Sequence, residues 1–386
     1  MTCRLWAKIK APEEITYTKA SMITIGDYIS SALEHQDLHT AGLDLSTRKD
    51  FDRPWRVDPR TEFIPPRRFT FIDVLSRRKW VVTYVLMCLL VLPFYALLGV
   101  ILYEHRKIGM PIDLPSLWAE GIGVFQNYAY FPSFSSEDSG GTNGPFHARR
   151  FHMAALFANI PQLFISGGYV ILNNLLTTIS ITDEWNTFIH RRQPLRVSQP
   201  KGSQRSSYFL SLPFHYAIGL ITWSGVTHWL VSRSLFVVES NEFASPDFVH
   251  FDNQDSAVVG HSAMGIILTT IAVSLTLFVP IVISFRNFEA PKSKENNDWI
   301  GREAARYPMP LTSTCSAGIS AACHRHEQDL DAHLLPITWG FVEDDPESQQ
   351  EELRGRFCFT TARDVQWPER YVRQNAPSFQ ETPAGV

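Results

Sequence analysis

The residues whose types suit chemistry are histidines and cysteines, and they fall in three places. His228 lies near the middle of an apolar run, Ala217 to Val238, and is the only ionisable side chain at that depth, with Arg233 near the end of the run. A histidine so placed can relay a proton or ligate a metal, although the plainer reading is a neutral ring bonded to a neighbouring helix. A bis-histidine haem needs a second histidine at the same depth. His215 sits at one end of the run, and His152 and His261 lie near the opposite face, so none matches. His152 and His261 can meet each other there, as a weak metal pair. The third place is near the C-terminus: Cys315, Cys323, His324, His326 and His333. Zinc sites favour ligand pairs two to four residues apart, and seven residues separate these cysteines. An ordinary small-residue segment, CSAGISAAC, explains them more simply, and lipidation of Cys315 or Cys323 is a third reading. The sequence shows no Ser-His-Asp, paired-carboxylate or nucleophile-elbow pattern and no P-loop or dinucleotide fingerprint.

Four apolar runs must position these residues. A bilayer core about 30 Å thick needs about 20 mainly apolar residues per helix. Residues 80–103 give 24 without a charge, flanked by Arg77, Arg78 and Lys79 and by Glu104 to Lys107. Residues 153–181 give 29 uncharged residues rich in polar groups, which implies tilt or a helical extension. Residues 217–238 and 263–285 are the third and fourth spans. Overall 45% of residues are hydrophobic and 19% charged, which looks globular; the clustering of the apolar residues is what marks a membrane protein. The first 79 residues hold no run of signal-peptide type, so the first span is expected to act as the targeting signal.

Orientation follows from Lys and Arg in short loops. Residues 1–79 end in a basic cluster, residues 182–216 carry Arg191, Arg192, Arg196, Lys201 and Arg205, and residues 286–386 begin with Arg286, Lys292 and Lys294. The loop 239–262 has no Lys or Arg but holds Glu239, Glu242, Asp247, Asp252 and Asp255. Both termini and the loop 182–216 are therefore expected in the cytosol, and the acidic loop outside or in a lumen. The outer loop 104–152 disagrees in part, through Arg106, Lys107, Arg149 and Arg150. Within these segments Met22 to Leu33 reads as one short helix. Arg53 to Arg68 reads as linker, SSEDSGGTNGP as a flexible tip, and the last 25 residues as a polar, disordered end.

Two stripes mark how the spans meet. Asn159, Gln162, Ser166, Asn173 and Thr177 are spaced 3, 4, 7 and 4 and share one face of span two. Polar groups avoid lipid, so this face is expected against another helix or a water-filled path. Ser262, Gly265, Thr269, Ala272 and Thr276 form a small-residue stripe on span four, which allows close helix packing.

Several strings, in order, are familiar: GDYISSALEHQDLHTAGLDL, NIPQLFISGGYVILNNLLT, QPLRVSQPKGSQRSSYFLSLPFHYAI, HWLVSRSLF and MPLTSTCSAGISAACHRHEQDLDAHLLPITWG. Together they resemble a family of fungal multi-pass membrane proteins defined by a domain of unknown function, from about Met22 to Phe359. The resemblance implies a polytopic membrane protein and no activity, so no catalytic residue carries over. It implies an accessory role near specialised metabolism. Members of the family have further spans before the GDYISSALEH segment, so the chain is expected to be a truncated form or a half that works with another chain.

The expected fold is all-α and polytopic, with about four transmembrane helices and cytosolic N- and C-terminal segments. The leading function is a non-catalytic membrane accessory or scaffold, since no acid lies inside a span and no catalytic set is formed. Alternatives are a small-molecule transporter or channel using the span-two stripe, and a membrane enzyme using His228 or the Cys/His cluster. No cofactor is expected. The expected partners are the lipid bilayer and another membrane chain or the missing N-terminal half. A net charge of −4 gives no reason to expect nucleic acid.

Overall fold

A computed structural model describes residues 22–46, 51, 62–63, 70–131, 145–207, 212–240, 243–244, 249–250, 256–287, 309, 311–326, 329–342, 356–362, 365 and 371–372. The tip SSEDSGGTNGP, most of the Arg53 to Arg68 stretch and nearly all of the last 25 residues lie outside the described residues. The described chain is mostly helical. Its helices are α1 (Ile25–Glu34), α2 (Arg77–Lys107), α3 (Leu114–Ala119), α4 (Pro145–His190), α5 (Phe214–Ser234), α6 (Ala263–Ser284) and α7 (Ser316–Ala322). Short two-stranded ladders accompany these helices.

Among the described residues three helices are long and apolar enough to cross a membrane: α2, the Phe151–Ile189 part of α4, and α6. The third expected span, α5, is 21 residues long but diluted by Ser224, Thr227, His228, Ser232 and Arg233. It also stops at Ser234, short of residue 238. From there Leu235–Ser240 pairs antiparallel with Ser256–His261, Leu235 opposite His261 and Ser240 opposite Ser256. Leu-Phe-Val-Val facing Val-Val-Gly-His suits a pleated ladder better than a continued helix. The acidic loop 239–262 is thus partly a hairpin.

The chain divides into two compact units. The helical unit holds residues 70–180 and 210–287. Its start is capped by Ser76, whose hydroxyl accepts from Lys79 N at 3.4 Å, and His105, Arg106 and Lys107 end α2 where the helix dipole favours cations. Val91, Phe94 and Ile101 of α2 pack with Ile165 of α4, Val231 of α5 and Met264, Ile266 and Val273 of α6. Against α5, α6 lies close: a Cβ on Gly265 would come 2.8 Å from the Arg233 carbonyl, and the Ser234 and Thr269 hydroxyls are 2.7 Å apart.

The second unit gathers residues 1–69, 181–209 and 288–386. Thr24 caps α1 reciprocally with Asp27, which is why the helix begins at Ile25 rather than Met22. Ile25, Ile29 and Leu33 make one buried stripe. It belongs to a core with Trp185, Phe188, Trp339, Phe357 and Phe359. Trp185 and Phe188 both meet Phe359 edge-on, with ring centroids 5.4 Å apart. The hairpin Thr338–Val342 with Arg356–Thr360 supplies three of those aromatic rings.

Candidate functional site

The residues singled out by spacing take varied positions. On α4 the packed face is apolar, with Ala154, Ala158, Ile165, Leu172 and Leu176 buried. The polar stripe lies off it: Asn159 and Ser166 are exposed, and Gln162, Asn173 and Thr177 half-buried. Asn159 donates to Ala155 O of its own helix at 2.7 Å, while Ser166 lies 3.5 Å from His228 Nε2. A stripe need not be buried when its amides can turn onto the backbone of their own helix. On α6, Ser262, Gly265, Thr269 and Ala272 are buried and Thr276 half-buried.

The Cys/His cluster is dispersed in structural roles. His324 is buried and its Nε2 bonds Thr40 Oγ1 at 2.9 Å, tying α7 to the turn Leu38–Thr40. Burial lowers its pKa. Cys323 is buried, and desolvation followed by neighbouring Cys358 pushes its thiol well up, against thiolate formation. Cys315 and His326 are half-buried. Among the described residues no three His, Cys, Asp or Glu side chains gather as a metal site.

A different set of groups converges in the helical unit. His105, in the last turn of α2, is 1% exposed. Its Nδ1 lies 3.0 Å from Ile101 O, and a carbonyl only accepts, so Nδ1 carries hydrogen. Its Nε2 faces Glu120 Oε2 at 3.4 Å. Tyr128 donates to the other Glu120 oxygen at 2.9 Å. Burial, then that carboxylate, raises the phenol to about 12. His261, not His152, completes the group: its ring lies 5.8 Å from that of His105 and 5.2 Å from Phe131. His152 is exposed and packs on Phe151. The backbone holds this arrangement together, since Phe131 N donates to Val259 O and His261 N to Ala129 O, both at 3.0 Å.

His261 is 3% exposed with Nδ1 buried and unpartnered, and burial, then His105, lowers its pKa to about 4. The unfolded ring titrates near 6.5. In the folded protein the neutral ring is favoured, so the unfolded state binds more protons between those two values. Stability is thus complete above about pH 6.5 and falls as pH drops towards 4, by on the order of 3 kcal/mol. Thermal unfolding at pH 7.5 and 5 should show this acid loss in the wild type and a smaller one in His261→Gln. Equal losses in both would remove His261 as the cause.

The same unit holds an apolar cleft lined by residues from α2, α4, α5 and α6. Met87, Leu90, Phe164, Leu172 and Leu220 form much of its wall, and Gly168, Trp223 and Thr227 also line it.

Sequence reasoning missed both features. His105 reads as one more polar residue in the flank of span one, and a cleft needs the pairing of four helices to exist.

A family model described as a domain of unknown function (DUF8419) matches residues 127–364. No curated protein and no solved structure matches the chain.

Proposed function

The chain belongs to the DUF8419 family, and from that premise we propose that it is a four-span integral membrane protein with a non-catalytic accessory or scaffold role, in fungal specialised metabolism as the resemblance implies. The observation that carries the membrane reading is the outer surface of the four long helices. Leu89 and Leu92 on α2, Leu156 and Leu163 on α4, Ile218 and Trp229 on α5, and Leu275 and Val282 on α6 are all exposed. Apolar surface of that extent is unstable in water and costs nothing against lipid tails.

Chain parity supports four spans rather than three. Residues 1–69, 181–209 and 288–386 pack as one unit, held by contacts such as Asp27 with Ser198 and Thr182 with Ser313. Segments that fold together lie on one side of a bilayer. The chain must therefore cross an even number of times between residues 69 and 181, and again between 209 and 288. α2 and α4 serve the first excursion. α6 alone cannot serve the second, so α5 crosses with it despite its weaker hydropathy. Its half-buried and buried polar groups face a protein-lined interior: Thr227 bonds the carbonyls of Trp223 and Ser224, and Ser234 meets Thr269. The basic residues of the gathered segments favour a cytosolic location for that unit.

The accessory role is supported by what the intramembrane polar groups do. Thr227, Thr269, Thr270, Ser274 and Ser284 each bond a carbonyl of their own helix, which is structural work. A transporter would use the stripe on α4, but Asn159 there is exposed and turns onto the Ala155 carbonyl of its own helix. Alkaline carbonate washing of membranes tests the proposal: the protein should stay in the pellet and leave it only with detergent. Recovery of a monomer in the carbonate supernatant would overturn it.

A further inference from the structure

One face of α4 carries polar groups that its own bundle leaves uncovered. Asn159, Ser166 and Asn173 recur at every seventh residue, and Leu156, Leu163 and Val170 do the same three places before each. The two rows together alternate in steps of three and four, the pattern by which one helix packs along another. The structure turns both rows outward: Asn173 is half-buried and the other five are exposed. The residue before each polar one, Ala158, Ile165 or Leu172, is buried against the bundle, so the outward direction is constant along the helix. Asn159 and Asn173 are 14 positions apart, roughly 21 Å at 1.5 Å per residue. On the four-span reading, on which this inference rests, the polar row therefore lies within the hydrocarbon core, about 30 Å thick.

Lipid tails offer these groups no hydrogen-bond partner. An asparagine amide has two N–H donors and a carbonyl, and the bond from Asn159 to Ala155 O uses one of those donors. Ser166 lies 3.5 Å from Nε2 of His228, itself half-buried on α5, so polar surface continues beside the row. We propose that this face of α4 docks on the same face of a second copy of the chain, as a parallel pair. Two copies in one membrane share an orientation, so a two-fold axis along the membrane normal sets each residue against its own counterpart. Asparagine and serine suit that arrangement, because each both donates and accepts and can bond its own kind. A row of like charges would repel its counterpart, and none of the six residues is charged. Leu156, Leu163 and Val170 then pack as knobs into the facing helix, at a crossing angle near 20°. The face asks nothing of a partner that a second copy does not supply.

The experiment uses the full chain in isolated membranes, with Cys3, Cys88 and Cys315 changed to serine, and oxidative cross-linking of single introduced cysteines. A lone cysteine joins two copies only where the axis brings it against itself. Leu163→Cys and Ser166→Cys should each give a product of twice the chain's mass. Leu89 and Leu275 are exposed on α2 and α6, and Leu89→Cys and Leu275→Cys should cross-link at least about 5-fold less. Asn159→Ala combined with Asn173→Ala should weaken the dimer about 10-fold in detergent, the scale of two interhelical hydrogen bonds. Absent or equal cross-linking at the four positions overturns the proposal, and so does unchanged dimer affinity in the double variant. An adduct of another mass at positions 163 and 166 gives the face to a different chain and overturns it too. Carbonate resistance, measured in parallel, separates the two failures: a chain that stays in the pellet without cross-linking loses the dimer and keeps the membrane reading.

Discussion

Replacing Gly26 with alanine should destabilise the protein by on the order of 4 kcal/mol, a large share of the 5–15 kcal/mol that holds a typical domain together. A Cβ at Gly26 would come 2.0 Å from the Arg196 carbonyl oxygen and 2.7 Å from its carbon. Both are backbone atoms, so no side chain can swing away. α1 would have to retreat by more than 1 Å, and its anchors do not allow that. Thr24 Oγ1 donates to the same Arg196 oxygen at 2.9 Å. Asp27 Oδ1 accepts from Ser198 N at 2.8 Å and Ser198 Oγ at 3.0 Å. Desolvation pushes the Asp27 carboxyl up, but bonds from the backbone N–H groups of Thr24, Ser198 and Ile23 outweigh it and hold the group below the usual carboxylate range. A retreat would break charge-assisted bonds worth about 1.5–3 kcal/mol each, in addition to the overpacking cost. Gly99→Ala is the control, since a Cβ there meets nothing within 4 Å and α2 should gain slightly. Heat denaturation in detergent, followed by size exclusion, should show the Gly26 variant melting far below wild type and the Gly99 variant at or above it. If both melt with the wild type, the close approach of α1 to residue 196 is wrong.

Removing the Glu120 carboxylate should cost about 3 kcal/mol, the scale for breaking a buried pair and leaving its partner behind. Glu120 is 14% exposed and the ring of His105 1%. Glu120→Ala deprives His105 Nε2 of its partner and Tyr128 of its acceptor at once. Tyr128→Phe loses one hydrogen bond and should cost about 1 kcal/mol. Glu120→Gln keeps an oxygen for Tyr128 and should fall between the two. The same heat assay ranks them; three variants indistinguishable from wild type would dissolve the cluster as a structural unit.

Some of this was legible in the sequence. α2 and α6 announce themselves because charged residues bracket runs of Leu, Val and Ile, and spacings of three and four between Ser262, Gly265, Thr269 and Ala272 mark a close-packing face. Spacing alone did not say whether a stripe is inside. Asn159, Gln162, Ser166, Asn173 and Thr177 share a helix face, and Ala154, Ala158, Ile165 and Leu172 beside them are buried more fully. The strand after Ser234 was hidden because Leu-Phe-Val-Val is as apolar as a helix end, and only the partner strand decides between them. The second unit was invisible for a different reason. Its head, loop and tail look like separate polar segments, and what joins them is long-range: Asp27 to Ser198 across 171 positions and Thr40 to His324 across 284. No local pattern encodes such pairs, and the same holds for His105 and His261.

Parity is the central claim, and site-directed labelling measures it. Cysteines are placed one at a time by Gln36→Cys, Lys201→Cys, Leu330→Cys, Ile112→Cys and Glu239→Cys, all exposed positions, with Cys3 and Cys315 changed to serine. Sealed vesicles are treated with a membrane-impermeant maleimide. Positions 36, 201 and 330 should label together, from one face, and positions 112 and 239 from the other. Labelling of 36 and 201 from opposite faces, or of 112 from the same face as 201, would contradict the four-span account.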